Sequence, residues 1–321
     1  MTLNFYLMIH TTGVSVNYYP GLVSIGVPTF NRPYQLRRAL ECLLGQTYKN
    51  IELIISDNAS TTSEIEEIAK EFAGRDSRVQ YIRQKTNIGA HANFSYLLKQ
   101  ANGEYFMWAA DDDIWSPWFI EKCVNKLICT PDVAAAMTET QYFGVNGQYP
   151  FFPEGIAFYQ YMKRSGYSAI AYVLDNNYGN LIYSLFRKAA LMKNGNFFWE
   201  EAGMLSLNEI PAFLYVATSG GFIVLPEIGF YKCVPTSVYE QARWEMRGGR
   251  SPVQSRIRDW NSAFQTWIYH KKALEDIQSA INLLSIDKKC NRKLIRKVQW
   301  NLFKHFFWML IGWKPVSVRG D

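Results

Sequence analysis

A chain of 321 residues with 48% apolar side chains can bury a sizeable core, which argues against a disordered or low-complexity polypeptide. Its net charge of +6 is unevenly placed, because Lys288 to Arg319 holds nine Lys and Arg and no acidic residue; the rest has more acids than bases and lacks a basic footprint for nucleic acid. Five cysteines without a CxxC pair, four scattered histidines, no apolar run of about eighteen residues and no basic start argue against a zinc site, a disulfide framework, a spanning helix and a secretory signal, so a cytoplasmic location is expected.

Residues 1–21 have no convincing period and read as an irregular arm. Leu22 to Val27 predicts a short strand, Pro28 to Arg32 a turn, and Pro33 the start of a helix with Leu36, Leu40, Leu43 and Leu44 on one face. Ile51 to Ile55 predicts the next strand, ending at Ser56-Asp57-Asn58. Thr61 and Glu64 have the spacing of a capping box, and Ile65, Ile68, Ala69 and Phe72 follow at helical spacing. Val79 to Ile82 predicts a third strand, Asn87-Ile88-Gly89 a turn into a helix bearing Phe94, Leu97, Leu98 and Ala101, and Tyr105 to Ala109 a fourth strand. Such alternation predicts an α/β sandwich with a mostly parallel central sheet and helices on both faces, and ligands at the carboxyl ends of its strands.

The polar residues gather at those ends. Thr29 and Asn31 follow the first strand, Asp57 and Asn58 the second, and Asp111-Asp112-Asp113 the fourth. Three adjacent carboxylates repel one another and resist desolvation, so a divalent cation there is one reading; an acidic turn capping a helix that opens at Pro117 is the other. A metal, a base-contacting carboxylate and a tight turn together suit a nucleotide diphosphate.

Beyond about residue 130 the pattern shifts to short strands, turns and aromatic pairs, with strands predicted at Gly179 to Phe186 and Gly221 to Leu225 and a helix between them containing Ile210, Phe213, Leu214 and Ala217. The basic stretch Gln241 to Ser251 reads as a lid, and Val253 onward as helices. The expected organisation is thus an arm (1–21), a half bearing the strand-end cluster (22–130), a substrate-facing half of the same domain (131–240), and a lid with a helical basic and aromatic tail (241–321).

Five ordered motifs carry a family resemblance: Val23 to Arg32, Gln46-Thr47-Tyr48, Ile54 to Thr61, Asn87-Ile88-Gly89 and Ala110 to Trp115. Through them the chain resembles the family 2 inverting glycosyltransferases of the GT-A fold. The resemblance implies a nucleotide-sugar donor, UDP by default, a divalent cation (Mn2+ or Mg2+), and single-displacement transfer with inversion to a saccharide or lipid-linked acceptor. By the same resemblance Pro28, Thr29, Phe30, Asn31 and Arg32 line the nucleotide site, Asp57 contacts the base with Asn58 beside it, and Lys85 and Gly89 flank base or phosphate. Asp111 then meets the ribose and Asp112 holds the metal, with Asp113 as a second ligand or a helix cap.

Relatives often carry an aspartate where Ala110 stands and Tyr-Arg-x-His where this chain has Tyr231-Lys232-Cys233-Val234, so Lys232 or Arg243, Arg247 and Arg250 would supply the missing charge. Inversion needs a general base on the acceptor side; Glu200, Glu201 and Glu209 are the candidates, and Asn208-Glu209-Ile210-Pro211 matches the family's position. Glu209 equally suits a helix start, where the macrodipole favours a carboxylate. In the tail, Leu294, Val298, Leu302, Phe306 and Met309 recur at helical spacing among Lys and Arg, consistent either with docking on the domain or with peripheral attachment to an anionic membrane surface. A non-catalytic nucleotide-sugar-binding subunit and a sugar nucleotidyltransferase are the competing functional readings.

Overall fold

The structure is a computed structural model that describes residues 18–144, 147–148, 180–193, 196–197, 210–234, 275, 277–282, 284 and 288–311. In chain order the elements are β1 (Tyr19–Thr29), α1 (Pro33–Leu44), β2 (Ile51–Asp57), α2 (Glu64–Arg75), β3 (Val79–Arg83), α3 (Ala90–Gln100), β4 (Gly103–Trp108), β5 (Ile114–Trp115), α4 (Phe119–Cys129), β6 (Ala135–Gly144) and β7 (Gly147–Gln148). A 3-10 turn (Leu181–Tyr183) leads into β8 (Leu185–Arg187), followed by β9 (Met192–Lys193), β10 (Asn196–Phe197), α5 (Ile210–Thr218), β11 (Phe222–Cys233) and α6 (Lys288–Ile311).

Nine strands form one mixed sheet in the order β3-β2-β1-β4-β8-β6-β11-β5, with β7 paired to β6. The β3-β2-β1-β4 half is parallel throughout. The three-residue β8 runs antiparallel between β4 and β6 and joins that half to the parallel β6–β11 pair. β2 is buried along its whole length because it lies inside the sheet with helices to cover it, which is why Leu53, Ile54 and Ile55 read as an unbroken apolar run. One aromatic chain crosses the β8 joint: Trp108 meets Phe106 and Phe186 edge-on, Phe186 meets Phe222, and Phe222 meets Phe213 of α5. These rings make a single core of the two halves.

Several expectations shift. The first strand begins at Tyr19, inside the predicted arm, because Tyr19 N donates to Asn102 O and Gly21, at φ +70°, turns its own N–H onto Glu104 Oε2. The capping box does not form: α2 starts at Glu64 after Ser63, and Ser63 Oγ donates to Glu67 instead. Pro117 does not open a helix; Ser116 N is held by Gly229 O, and α4 starts at Phe119. In the strand predicted at Gly179–Phe186, Leu181–Tyr183 is the 3-10 turn and only Leu185 and Phe186 are strand, Gly179 lying outside the described residues; the strand predicted at Gly221–Leu225 continues to Cys233 through register shifts after Leu225 and Ile228. Pro226 and Gly229 fall at those shifts, where a ladder loses a donor or a side chain.

Candidate active site

Sheet register sets the site. Thr29, Asp57 and Arg83 occupy one row across β1, β2 and β3, at the carboxyl ends of all three strands. The turn after β1 is then stitched to the turn after β2. Asn58 N donates to Thr29 O, Asn31 N donates to Ser60 Oγ, and Asn31 Oδ1 accepts from Thr61 N and Oγ1 at 2.8 and 3.1 Å. Asn31 sits at φ +56°, a conformation that asparagine tolerates better than most residues and that this sharp reversal demands.

Asp57 is fully buried. Its Oδ1 accepts from Ser60 N at 2.8 Å, and its Oδ2 accepts from Tyr81 OH at 3.1 Å and Arg83 Nη1 at 2.7 Å. Burial and then the Asp57 charge push the Tyr81 phenol up to about 12, so it remains a donor across the physiological range. A carboxylate has about four acceptor positions, and three are taken here. Asn58 is likewise occupied with structure, accepting from Ile88 N and donating to Asn87 Oδ1, and Asn87 Oδ1 in turn caps Gly89 N. Gly89, at φ +82° with open space around its Cα, precedes α3, while Lys85 is exposed on the turn leading to it.

The carboxylate run meets this layer from β4. Thr29 Oγ1 donates to Asp111 Oδ2 at 2.7 Å, and Arg32 Nη1 bridges Asp111 Oδ1 and Asp112 Oδ2 at 3.1 and 2.8 Å. Arg38 Nη2 donates to the Asp112 carbonyl. Burial raises the Asp111 carboxyl above the ordinary range against the opposing pull of Thr29 and Arg32. Asp113 turns the other way, into the protein. Its Oδ1 accepts from Cys233 N at 2.7 Å, and its Oδ2 is buried without a partner among the described residues. Burial first, and the Asp112 charge second, push it up to about 7. The charge of Lys232 pulls the other way; its Nζ donates to Asn180 Oδ1 while Asn180 Nδ2 donates to Tyr142 OH.

Thr29, Asn31, Arg32, Asp57, Asn58, Asp111 and Asp112 are therefore brought together in one hydrogen-bonded layer, with Pro28 half-buried beneath it and Phe30 exposed at its rim. Sequence patterning singled out neither Tyr81 nor Arg83, the partners of Asp57; their place one row from a strand-end carboxylate was the available signal. Glu139 was missed as well. It lies buried in β6 with Oε1 unpartnered among the described residues, in a Thr-Glu-Thr-Gln run that masks a strand. Glu200, Glu201, Glu209, Arg243, Arg247 and Arg250 lie outside the described residues; α5 starts at the residue after Glu209.

The donor set for a cation is all oxygen, which suits Mg2+ or Mn2+. Among the described residues no three acidic, His or Cys side chains form a ready metal cage. What is present fits the looser mode in which one or two carboxylates hold the ion and substrate phosphates complete it. Asp112 is the member of the run that is a quarter exposed, and its present counter-charge, Arg32, is half exposed and able to swing aside.

A sequence model described as "Glycosyl transferase family 2" matches residues 24–189, more than half of the chain. The chain belongs to that family. Curated relatives include an uncharacterized glycosyltransferase of Rickettsia felis, 36% identical over 113 residues (35% of this chain, 18% of the relative). GlyA of Streptococcus pneumoniae serotype 4 is 30% identical over 141 residues (43% and 20%). WcaA of Escherichia coli K12, described as a putative colanic acid biosynthesis glycosyl transferase, is 39% identical over 97 residues (30% and 34%). The match thus spans a fifth to a third of the length of these family members.

The fold is similar to that of Staphylococcus aureus TarS 1-349 in complex with UDP, with TM-score 0.59 and 16% identity over 88% of this chain and 72% of that one. It is also similar to PcManGT, a mannosyltransferase from Pyrobaculum calidifontis in complex with GDP-Man and Mn2+, with TM-score 0.51 and 17% identity over 90% and 83%. The α/β sandwich expected from the strand and helix alternation is the fold observed.

Proposed function

We propose that the protein transfers a glycosyl group from a nucleotide-diphosphate sugar to a hydroxyl of a saccharide or lipid-linked acceptor, with inversion. The observation that carries this reading is the Thr29–Asp111 hydrogen bond with the Arg32 bridge, which ties the ends of β1 and β4 into one carboxylate-bearing layer beside the Asp57 row. Such a layer offers acceptors for base N–H groups and ribose hydroxyls, and Arg32 and Arg38 as positive charge for phosphate. The UDP complex of TarS and the GDP-Man and Mn2+ complex of PcManGT support the donor class by fold-level analogy. Asp112 would hold a divalent cation that offsets the charge of the departing diphosphate, whereas Asp113, turned inward onto Cys233 N, is not placed to be the second ligand.

In the transfer, the acceptor oxygen attacks the anomeric carbon from the face opposite the diphosphate. Glu209 takes the hydroxyl proton, and the bond to the diphosphate breaks with its electron pair leaving on phosphate oxygen. The positive ends of Arg32 and Arg38 meet that growing charge. Glu209→Gln retains the size of the side chain and removes the base, so it is expected to leave nucleotide affinity within about twofold while lowering turnover by roughly 100-fold or more. Unchanged turnover would exclude the residue as base.

The donor half is tested by calorimetry with UDP, GDP, dTDP and CDP, each with Mn2+, with Mg2+ and with chelator, on wild type and Asp112→Ala. One nucleotide is expected to bind in a metal-dependent way, UDP first, and to lose at least about tenfold in affinity in the variant, equivalent to roughly 1.4 kcal/mol. Absence of binding under every condition would overturn the reading.

A further inference from the structure

Helix α6 opens the basic stretch that the strand-end chemistry leaves unused. One side of it is anchored: Leu294 is fully buried, Ile295 packs on the core, and the neighbouring Ile277, Ala280, Ile281 and Leu284 are buried. Asn291 Nδ2 adds a hydrogen bond to Ile281 O. The opposite side faces water, with Lys289, Arg292, Lys293, Arg296 and Trp300 all exposed. At 3.6 residues per turn these five positions fall within about 100° of arc, while Leu294 lies roughly opposite. The helix therefore presents a straight line of cations ending in an indole that is 57% exposed.

We infer that this face of α6 binds the surface of an anionic lipid bilayer, with the four cations on the headgroups and Trp300 at the polar–apolar boundary. Three observations select that partner. The charge is of one sign, since no acidic residue occurs between Lys288 and Arg319. An aromatic ring stands in line with the cations, the pairing that suits an interface where headgroups and acyl chains meet. The helix also stays on the surface, because no helix among the described residues is long and apolar enough to cross a membrane. Nucleic acid fits less well, since the remainder of the chain carries more acids than bases and offers no continuing basic track. The inference rests on the helix and not on the transfer reaction, so it stands or falls without any donor or acceptor.

Flotation of the full chain with vesicles tests it. Binding is expected to vesicles containing about one third phosphatidylglycerol and not to pure phosphatidylcholine, and to weaken as salt is raised. The triple change Arg292→Glu, Lys293→Glu, Arg296→Glu is expected to lower the partition coefficient by at least about a hundredfold, whereas Arg292→Lys with Arg296→Lys leaves it within about threefold. Trp300→Ala should reduce binding with the charge intact. Circular dichroism and thermal melting of the same variants report whether the chain remains folded. Equal binding to both vesicle types, no vesicle binding by a folded chain, or binding indifferent to charge reversal would overturn the inference, as would tight single-stranded RNA binding in its place.

Discussion

Glu139 lies within β6 at 1% exposure, and burial alone pushes its carboxyl from an ordinary 4.5 up to about 7. A group whose proton affinity rises on folding adds stability that is fully present below its unfolded value and is lost as pH climbs through the folded one. Here that window runs from 4.5 to about 7. The shift corresponds to a loss of up to roughly 3 kcal/mol over that range, on the order expected for a buried carboxyl. Glu139→Gln should remove this component, so urea unfolding at about pH 5 and about pH 8 should show the variant gaining on wild type at the higher pH. Equal pH dependence in both proteins would mean that the carboxyl is solvated or paired. Asp57 gives the opposite lesson. A carboxylate at a strand end reads from sequence as a ligand acceptor, yet three of its acceptor positions are taken by Ser60, Tyr81 and Arg83. Its first task is to hold the β2 turn in shape, and ligand contact is left to what remains.

Elements owe their positions to close backbone approaches as much as to apolar periodicity. Gly103 begins β4 against β1, and a Cβ there would stand 2.4 Å from Leu22 O and 2.8 Å from Ser24 N. Its N–H donates to Ser24 Oγ, which in turn donates to Glu52 Oε1, and Glu52 also accepts from Asn102 N and Nδ2. This buried polar knot ties three strands at the end of the sheet remote from the carboxylates. Gly103→Ala is expected to cost about 3 kcal/mol, because the obstacle is backbone rather than a side-chain tip. A melting temperature unchanged in Gly103→Ala would show that β1 and β4 can part there without loss.

Over the whole molecule, the parallel half was legible in the sequence because β1 and β2 are interior and largely apolar, from Val23 to Val27 and from Leu53 to Ile55, and its helices carry one apolar face. The other half was less so. β6 carries Thr138, Glu139, Thr140 and Gln141 in succession, which hides the two-residue period, and β11 is broken by Pro226 and Gly229. β5 has only two residues, too few for any pattern. The strand-end residues were nameable one by one from their motifs. The Arg32 bridge and the inward turn of Asp113 depend on partners about 80 and 120 residues away in sequence, which no local pattern encodes.

That inward turn has a consequence for how such chains diversify. Ile114 and Trp115, the two residues after the carboxylate run, pair with Tyr231 and Phe230 of β11, and Asp113 is fastened to Cys233. The backbone that would handle the leaving group in the proposed reaction is thus sewn to β11, in the half proposed to meet the acceptor. A chimera joined ahead of residue 222 would take the two sides of this seam from different parents, so Asp113 to Trp115 and Phe230 to Cys233 form one structural unit despite their distance along the chain.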